Sequence, residues 1–357
     1  MMLCGYNGPA KKRRDLDMQR MKKYASVVPG LLIAVAVAAA ARFLEGLLPI
    51  HLIGASVIAL FIGMGINALR KPSALVAGGL KFTSKRVLKL AIILLGASLS
   101  MRDILTVGRL SLMVMCFTLL TCFGGGYLVG RSLGLNWKLS NLISAGTGIC
   151  GGSAIAAIAP VIDAQDRDIA YAMSATFLFD MVMILMFPFL GHWLGMSDMA
   201  YGLWAGTAVN DTSSVVAAGY AFSEAAGDFA TMVKLTRTLS IIPTVLIFSV
   251  INVREKCRMN VAVEGERVNV LTLFPWLILG FLGLALFNSV GLIPAAASAF
   301  LKDLSKFLMV AALAAIGLNT DFREMQKAGL RPMLHGFIIS ALVVVVALLV
   351  EMAMGLV

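Results

Sequence analysis

The chain has 357 residues, 59% of them hydrophobic and only 14% charged, with a formal net charge of +11. A soluble domain carries about 25% charged residues, so this composition does not fit an ordinary globular core. Apolar runs of roughly 20 residues, the length that crosses a bilayer, recur from end to end, and most basic residues fall in loops on one side, which is the positive-inside pattern rather than a nucleic-acid footprint.

In chain order, residues 1–25 form a basic cytoplasmic tail containing Lys11, Lys12, Arg13, Arg14, Lys22 and Lys23. A secretory signal would need a cleavage site and a soluble remainder, and neither is found. Eleven membrane segments are predicted, near residues 26–44, 50–69, 86–101, 109–130, 141–161, 169–190, 201–222, 229–252, 271–290, 298–318 and 333–355. With the tail inside, inner loops carry Arg70, Lys71, Lys81, Lys85, Arg131, Lys138, Arg254, Lys256, Arg258, Arg323, Lys327 and Arg331. The acidic stretches Asp163–Asp168 and Glu224–Asp228 then fall outside. The predicted orientation is N-terminus in and C-terminus out.

The chain matches itself weakly. Ala154–Asp163 aligns with Ala312–Asp321, pairing segments 5 and 10, and Ser84–Leu88 aligns with Leu235–Leu239, pairing segments 3 and 8. Both matches shift by five helices, and an odd shift inverts the second unit, as in many secondary transporters. A competing match, Gly96–Gly108 against Gly317–Gly329, shifts by seven. The expected fold class is an all-α polytopic membrane protein with about eleven transmembrane helices. It has a five-plus-five inverted repeat with interrupted helices. The expected division is the tail (1–25), an extra N-terminal helix (26–49), a first repeat (50–195) and a second repeat (196–357).

Segment 5 carries Gly146, Thr147, Gly148, Ile149, Cys150, Gly151, Gly152 and Ser153. Each glycine costs about 0.8–1.0 kcal/mol relative to Ala inside a helix. Irregular backbone at membrane depth must be buried in protein or line a wet cavity. The stretch therefore predicts a broken helix and a substrate site, with close packing by small residues as the competing reading. Segment 6 carries Asp180, either a proton-relay carboxylate or a packing residue. Segment 7 carries Asn210, Asp211, Thr212, Ser213 and Ser214, five hydrogen-bonding residues that cannot face lipid. Asp211 is the expected coupling-ion residue, with Asp180 next in line. Asn210, Thr212 and Ser213 are expected to bind substrate.

Lys234 and Arg237 on segment 8 share a helical face. They predict a dianion site, since Arg engages two oxygens at once, or else a structural Asp211–Arg237 ion pair. In segment 10 a second break is expected at Ile316–Asp321, where Asn319 and Thr320 offer hydrogen bonds; an ordinary helix end is the alternative, because Gly and Asn are common there.

Taken together, Gly146–Ala159 with Pro160, Asn210–Gly219, Lys234–Arg237 and Ala315–Asp321 resemble the YeiH-like family, which carries the label of sulfate exporter. The resemblance covers nearly the whole chain after the tail. It implies a transporter in the cytoplasmic (inner) membrane of a bacterium, within the cation–proton antiporter and anion transporter group. It also implies five-helix inverted repeats and two crossing, interrupted helices. Many members have His at the place of Asn210; this chain lacks that imidazole, which leaves Asp211 as the expected carrier.

The expected function is secondary transport of a small anion, sulfate or sulfonate-like, coupled to H⁺ or Na⁺. An anion channel or a membrane ion sensor is the alternative. No enzyme is expected, because no nucleotide motif is present and no nucleophile sits beside a base. Cys150 is read as a small buried residue rather than a reactive thiol. The five cysteines form no CxxC pair and the three histidines are scattered, so neither metal nor cofactor is expected. The partners of this reading are the anion, the coupling ion and the bilayer; a homodimer is compatible with it, and nucleic acid is not a partner.

Overall fold

In a computed structural model of the chain, the residues described are 27–47, 55–258, 276–320 and 329–357. The basic tail, Asp321, Arg323 and Lys327 lie outside them. Among the described residues the regular structure is helical, with no strands. Five helical stretches among the described residues are long and apolar enough to cross a membrane: Val27–Leu47, Met101–Ser132, Asp166–Trp193, Glu224–Glu255 and Leu330–Ala353. The protein is therefore a nearly all-helical membrane protein.

Helix α1 (Val27–Leu47) is followed by α2 (Ala55–Leu69). Next comes one long rod, α3 (Ala74–Phe82), a π turn (Thr83–Val87) and α4 (Leu88–Leu95). A second rod joins α5 (Met101–Leu120) through the π turn Thr121–Gly125 to α6 (Gly126–Ser132). Side-chain bonds show which ends lie together. Asn67 Nδ2 donates to Thr320 O at 2.5 Å, and Arg70, Arg131, Lys138 and Arg331 lie at this basic end. At the opposite end Met101 N donates to Ser289 Oγ at 2.8 Å and Ser298 Oγ donates to Ala97 O at 2.9 Å.

The next two predicted segments do not run from one end to the other. In segment 5, α7 (Trp137–Ala145) continues as a π turn (Gly146–Cys150), breaks at Gly151 and resumes as α8 (Gly152–Ile158). Lys138 Nζ donates to Asp163 O at 2.7 Å, which brings the start of the segment beside its finish. A Cβ on Gly146 would lie 2.9 Å from Ile155 Cδ1. The segment is a helical hairpin with its tip at Gly151. It enters from the basic end and returns there.

Segment 7 does the same from the opposite end. Helix α10 (Asp198–Ala208) and α11 (Thr212–Phe222) fold back at Val209–Asp211. Ser223 Oγ donates to Asp198 Oδ1 at 2.5 Å, Tyr201 OH donates to Ala218 O at 2.9 Å, and the Tyr201 and Phe222 rings stack at 3.9 Å. An arm of about eleven residues spans roughly 16 Å at 1.5 Å per residue, half of a 30 Å hydrocarbon layer.

This corrects the expected loop placement. Asp163–Asp168 lies at the basic end with Lys138, and the turn before Asp198 lies at the other end. Because two segments turn back, Val27 and Val357, the ends of the described residues, still fall at opposite ends of the bundle. The hydropathy pattern could not show the reversal, because two half-length arms in tandem read as one full-length apolar run.

Helix α9 (Asp166–Trp193) links the two hairpins. After the second hairpin, α12 (Glu224–Thr238) and α13 (Ile241–Arg258) return to the basic end, where Asn252 Nδ2 donates to Val161 O at 2.9 Å. Helices α14 (Trp276–Ser289), α15 (Ala295–Asn319) and α16 (Leu330–Ala353) complete the bundle.

Two further corrections follow. The break expected in segment 10 is absent through Asn319: α15 is continuous and Thr320 caps it, donating its N–H to Gly317 O at 3.1 Å. Gly317 serves packing instead. A Cβ there would strike the backbone of α2, at 3.0 Å from the Leu60 carbonyl carbon and the Met64 nitrogen. Close approach of helices through small residues outweighs the propensity cost of one glycine. The element that resembles segment 5 is thus segment 7, not segment 10. In addition, Lys81 and Lys85 are not loop residues, since the rod containing them is helical from Ala74 onward.

Candidate functional site

The two hairpin tips meet. Gly151 has φ 65° and ψ −134°, a backbone state open to glycine and almost nothing else. A Cβ there would lie 2.7 Å from Asp211 Oδ1 and 2.9 Å from Asp211 Cβ, so the first tip touches the second through this one missing methyl.

The second tip is built around two carboxylates. Asp211 caps α11: its Oδ2 accepts from Ser213 N at 2.9 Å and also from the Ser213 hydroxyl. Asp180, on α9, is fully buried, and its Oδ1 accepts from Asn210 N at 3.1 Å and Asp211 N at 3.2 Å. Its Oδ2 has no partner. These backbone N–H groups lie where the chain leaves α10 and starts α11, and helix starts always expose unpaired donors. Asn210 Nδ2 reaches Ser340 Oγ of α16 at 3.4 Å, while Asn210 Oδ1 is unpartnered.

The cations cap the opposite polarity. Each hairpin's first arm ends at mid-depth with unpaired carbonyls and the negative end of its dipole. Lys234 and Arg237 on α12 are both fully buried. Lys234 Nζ donates to Val209 O, at the end of α10, at 2.8 Å. Arg237 donates Nε to Gly148 O at 2.6 Å and Nη2 to Thr147 O at 3.0 Å. Their spacing of three residues presents both to the tips, one cation per hairpin. The Asp211–Arg237 ion pair, the alternative reading of this cation pair, does not form. Ion pairs join α12 to α15 further toward the opposite end, Lys302 to Asp228 at 3.0 Å and Lys306 to Glu224 at 2.6 Å.

The sequence-derived candidates therefore divide into two groups. Gly146, Thr147, Gly148, Cys150, Gly151, Gly152, Asn210, Asp211, Thr212, Ser213, Lys234, Arg237 and Asp180 gather at or beside the tips. Ser153 lies in the first turn of α8, where its Oγ donates to Cys150 O at 2.9 Å. Asn319 and Thr320 do not join them. They line a separate cavity of about 260 Å³ with Ser84, Met173, Ser174, Phe177 and Ile316. Met173 connects the two places, because a Cβ on Gly152 would lie 3.9 Å from Met173 Cε. Sequence reasoning missed Ser340 and Ser174, which are single hydroxyls in apolar helices and carry no local signal.

Three polar side-chain atoms at the tips remain buried without a partner besides Asp180 Oδ2: Thr147 Oγ1, Asn210 Oδ1 and Arg237 Nη1. The cluster thus offers one guanidinium donor, one hydroxyl and two acceptors to a ligand. With both carboxylates ionised, Lys234 and Arg237 are balanced. One proton on either carboxylate leaves a net charge of +1.

Comparison with known proteins agrees with a membrane chain. The family described as conserved hypothetical protein 698 matches residues 29–336. A UPF0324 membrane protein of Clostridium tetani is 55% identical over 343 residues, covering 94% of this chain and 99% of the relative. A UPF0324 membrane protein of Streptococcus pyogenes serotype M3, SpyM3_0740, is 39% identical over 343 residues, covering 94% and 100%. One from Streptococcus pneumoniae serotype 4 is 37% identical over 334 residues, covering 92% and 97%. No solved structure matches. The chain belongs to the conserved hypothetical protein 698 family, the YeiH-like family whose motifs it carries, and its relatives are named only as membrane proteins.

Proposed function

We propose that the protein is a secondary transporter that moves a small anion, sulfate or a sulfonate-like species, across the cytoplasmic membrane with H⁺ or Na⁺ as the coupling ion. The observation that carries this reading is the contact of Gly151 with Asp211 at the tips of two hairpins that enter from opposite ends. Each hairpin is a half-depth plug. A ligand held between the tips is separated from either face by one hairpin alone, so moving one of them at a time gives alternating access without opening a continuous pore.

In this reading the chain crosses the bilayer nine times and carries two re-entrant hairpins. The basic end is cytoplasmic by the positive-inside rule, which places the N-terminus inside. Substrate and proton are linked through charge. Asp180 takes the coupling proton, because Asp180 Oδ2 is buried and unpartnered whereas the Asp211 carboxylate is engaged as a helix cap. Protonation makes the cluster positive, and an anion then restores neutrality at Arg237 Nη1 and Thr147 Oγ1. No covalent step is involved, which is the work of a carrier rather than an enzyme.

Proteoliposomes containing the purified chain and loaded with unlabelled sulfate or taurine should accumulate labelled substrate by counterflow. Flux without counterflow would identify a channel, and binding without flux would identify a sensor.

A further inference from the structure

The rod α3–α4 carries four basic residues, Lys81, Lys85, Arg86 and Lys89, and all four are exposed. They are not at its end. The rod starts at Ala74 at the basic end, so Lys85 lies about 16 Å along it and Lys89 about 22 Å at 1.5 Å per residue. Lysines at that depth are costly in hydrocarbon and favour a water-filled surface. Lys81, Lys85 and Lys89 recur every four residues and so share one stripe.

The π turn Thr83–Val87 sets what lies beside that stripe. Thr83 and Val87 are buried against the bundle, and Ser84 is turned into the 260 Å³ cavity. The cavity's remaining polar wall is Ser174, Asn319 and Thr320, at the basic end of α15 and in the first half of α9. Its volume is far above the roughly 10–15 Å³ that holds one water. Met173, which lines it, also approaches Gly152 of the first hairpin, with its Cε 3.9 Å from where a Cβ would stand.

We propose that Lys81, Lys85 and Lys89 form the charged wall of an aqueous vestibule that ends in the cavity at Ser84, Ser174 and Asn319, and that this vestibule binds a small divalent oxyanion before it reaches the hairpin tips. The proposal rests on the transporter reading only for where the anion goes next. The site itself is cation-walled and hydroxyl-floored, and among the described residues no carboxylate lines it. It collects anions by field rather than by a fixed fork, since lysine is a flexible point charge. That suits a station of passage, where the ion must leave as easily as it arrives. The same chemistry would take the phosphate of an anionic lipid, so the two sources must be separated by experiment.

The test is thiol labelling of Ser84→Cys in the full chain, in phosphatidylcholine nanodiscs, read at its own peptide by mass spectrometry so that native cysteines do not interfere. Ser174→Cys, on the facing wall, is the second reporter. A sulfonate-bearing methanethiosulfonate should react at least about tenfold faster than its trimethylammonium counterpart, the low end of electrostatic focusing. Millimolar sulfate should slow that reaction, and Lys81→Gln/Lys85→Gln/Lys89→Gln should abolish the preference. Equal rates for the two reagents, or no reaction at either position, would overturn the proposal. Protection by added phosphatidylglycerol but not by sulfate would also overturn it and assign the stripe to lipid. Counterflow on the same preparations separates the two readings. Charge-selective, sulfate-protected labelling without counterflow leaves the vestibule standing and removes the transporter; counterflow without charge selectivity does the reverse.

Discussion

Arg237 donates to Gly148 O across 89 residues of sequence, at 2.6 Å, and its other arm reaches Thr147 O at 3.0 Å. One buried side chain thereby ties the tip of the first hairpin to the helix that follows the second. The two bonds need the planar fork. Arg237→Lys keeps the charge but can satisfy at most one carbonyl well. A hydrogen bond to a charged group is worth about 1.5–3 kcal/mol, so the variant should unfold at a clearly lower temperature in detergent, and counterflow should slow. Thermal unfolding at the wild-type temperature would show that the fork is not holding the tip.

Gly151→Ala should be among the most damaging single-methyl changes in the chain. It combines a backbone state of positive φ with a methyl carbon 2.7 Å from Asp211 Oδ1. Strained states of this kind cost about 1–3 kcal/mol each, and here the neighbour is the opposing tip rather than a free side chain. Transport should be lost. Gly283→Ala on α14, where a Cβ meets nothing within 4 Å, is the control and should be harmless. Equal flux from the two variants would mean that the tips are not in contact during transport.

Asp180→Asn should uncouple rather than unfold. The amide oxygen of Asn can still accept from Asn210 N and Asp211 N, which keeps the second tip in place. The variant cannot release a proton, so proton-driven accumulation should disappear while counterflow of labelled substrate persists. Asp211→Asn should fold as well, because Asn is as good an N-cap as Asp, and it should retain a proton-driven component. If the two variants exchange these behaviours, Asp211 is the proton carrier and Asp180 a structural acceptor.

The hairpins also make a topological prediction. Gln165, just before α9, and Ser197, just before α10, are both exposed and lie at opposite ends of the bundle. Gln165→Cys should react with an impermeant maleimide from the cytoplasmic side and Ser197→Cys from the outer side. If segments 5 and 7 each crossed the bilayer, the two results would be interchanged.

Much of this architecture was legible from residue types alone. Most of each predicted apolar segment is helical where the structure describes it, because a stretch that is apolar on all sides must satisfy its backbone internally. The glycines of 146–152 marked one interruption; the polar run at 210–214 was legible as a stretch that cannot face lipid, but not as a turn, and the second break was expected in segment 10 instead. Lys234 and Arg237 were recognisable as buried cations in need of compensation. The rest depended on contacts between residues far apart in the chain. Whether an interrupted apolar segment crosses or turns back is invisible to hydropathy, because both have the same length and composition; Lys138 beside Asp163, and Asp198 beside Ser223, decided it. Gly317 carried the same local signature as the breaking glycines, yet its helix stays whole because α2 packs against it. The partners of Lys234 and Arg237 were likewise a tertiary matter. A cation at membrane depth requires negative charge or carbonyl oxygens nearby, and a sequence states the requirement without saying which will meet it. Here it is met by the carbonyl ends of two half-helices, which exist only once both hairpins have folded toward α12.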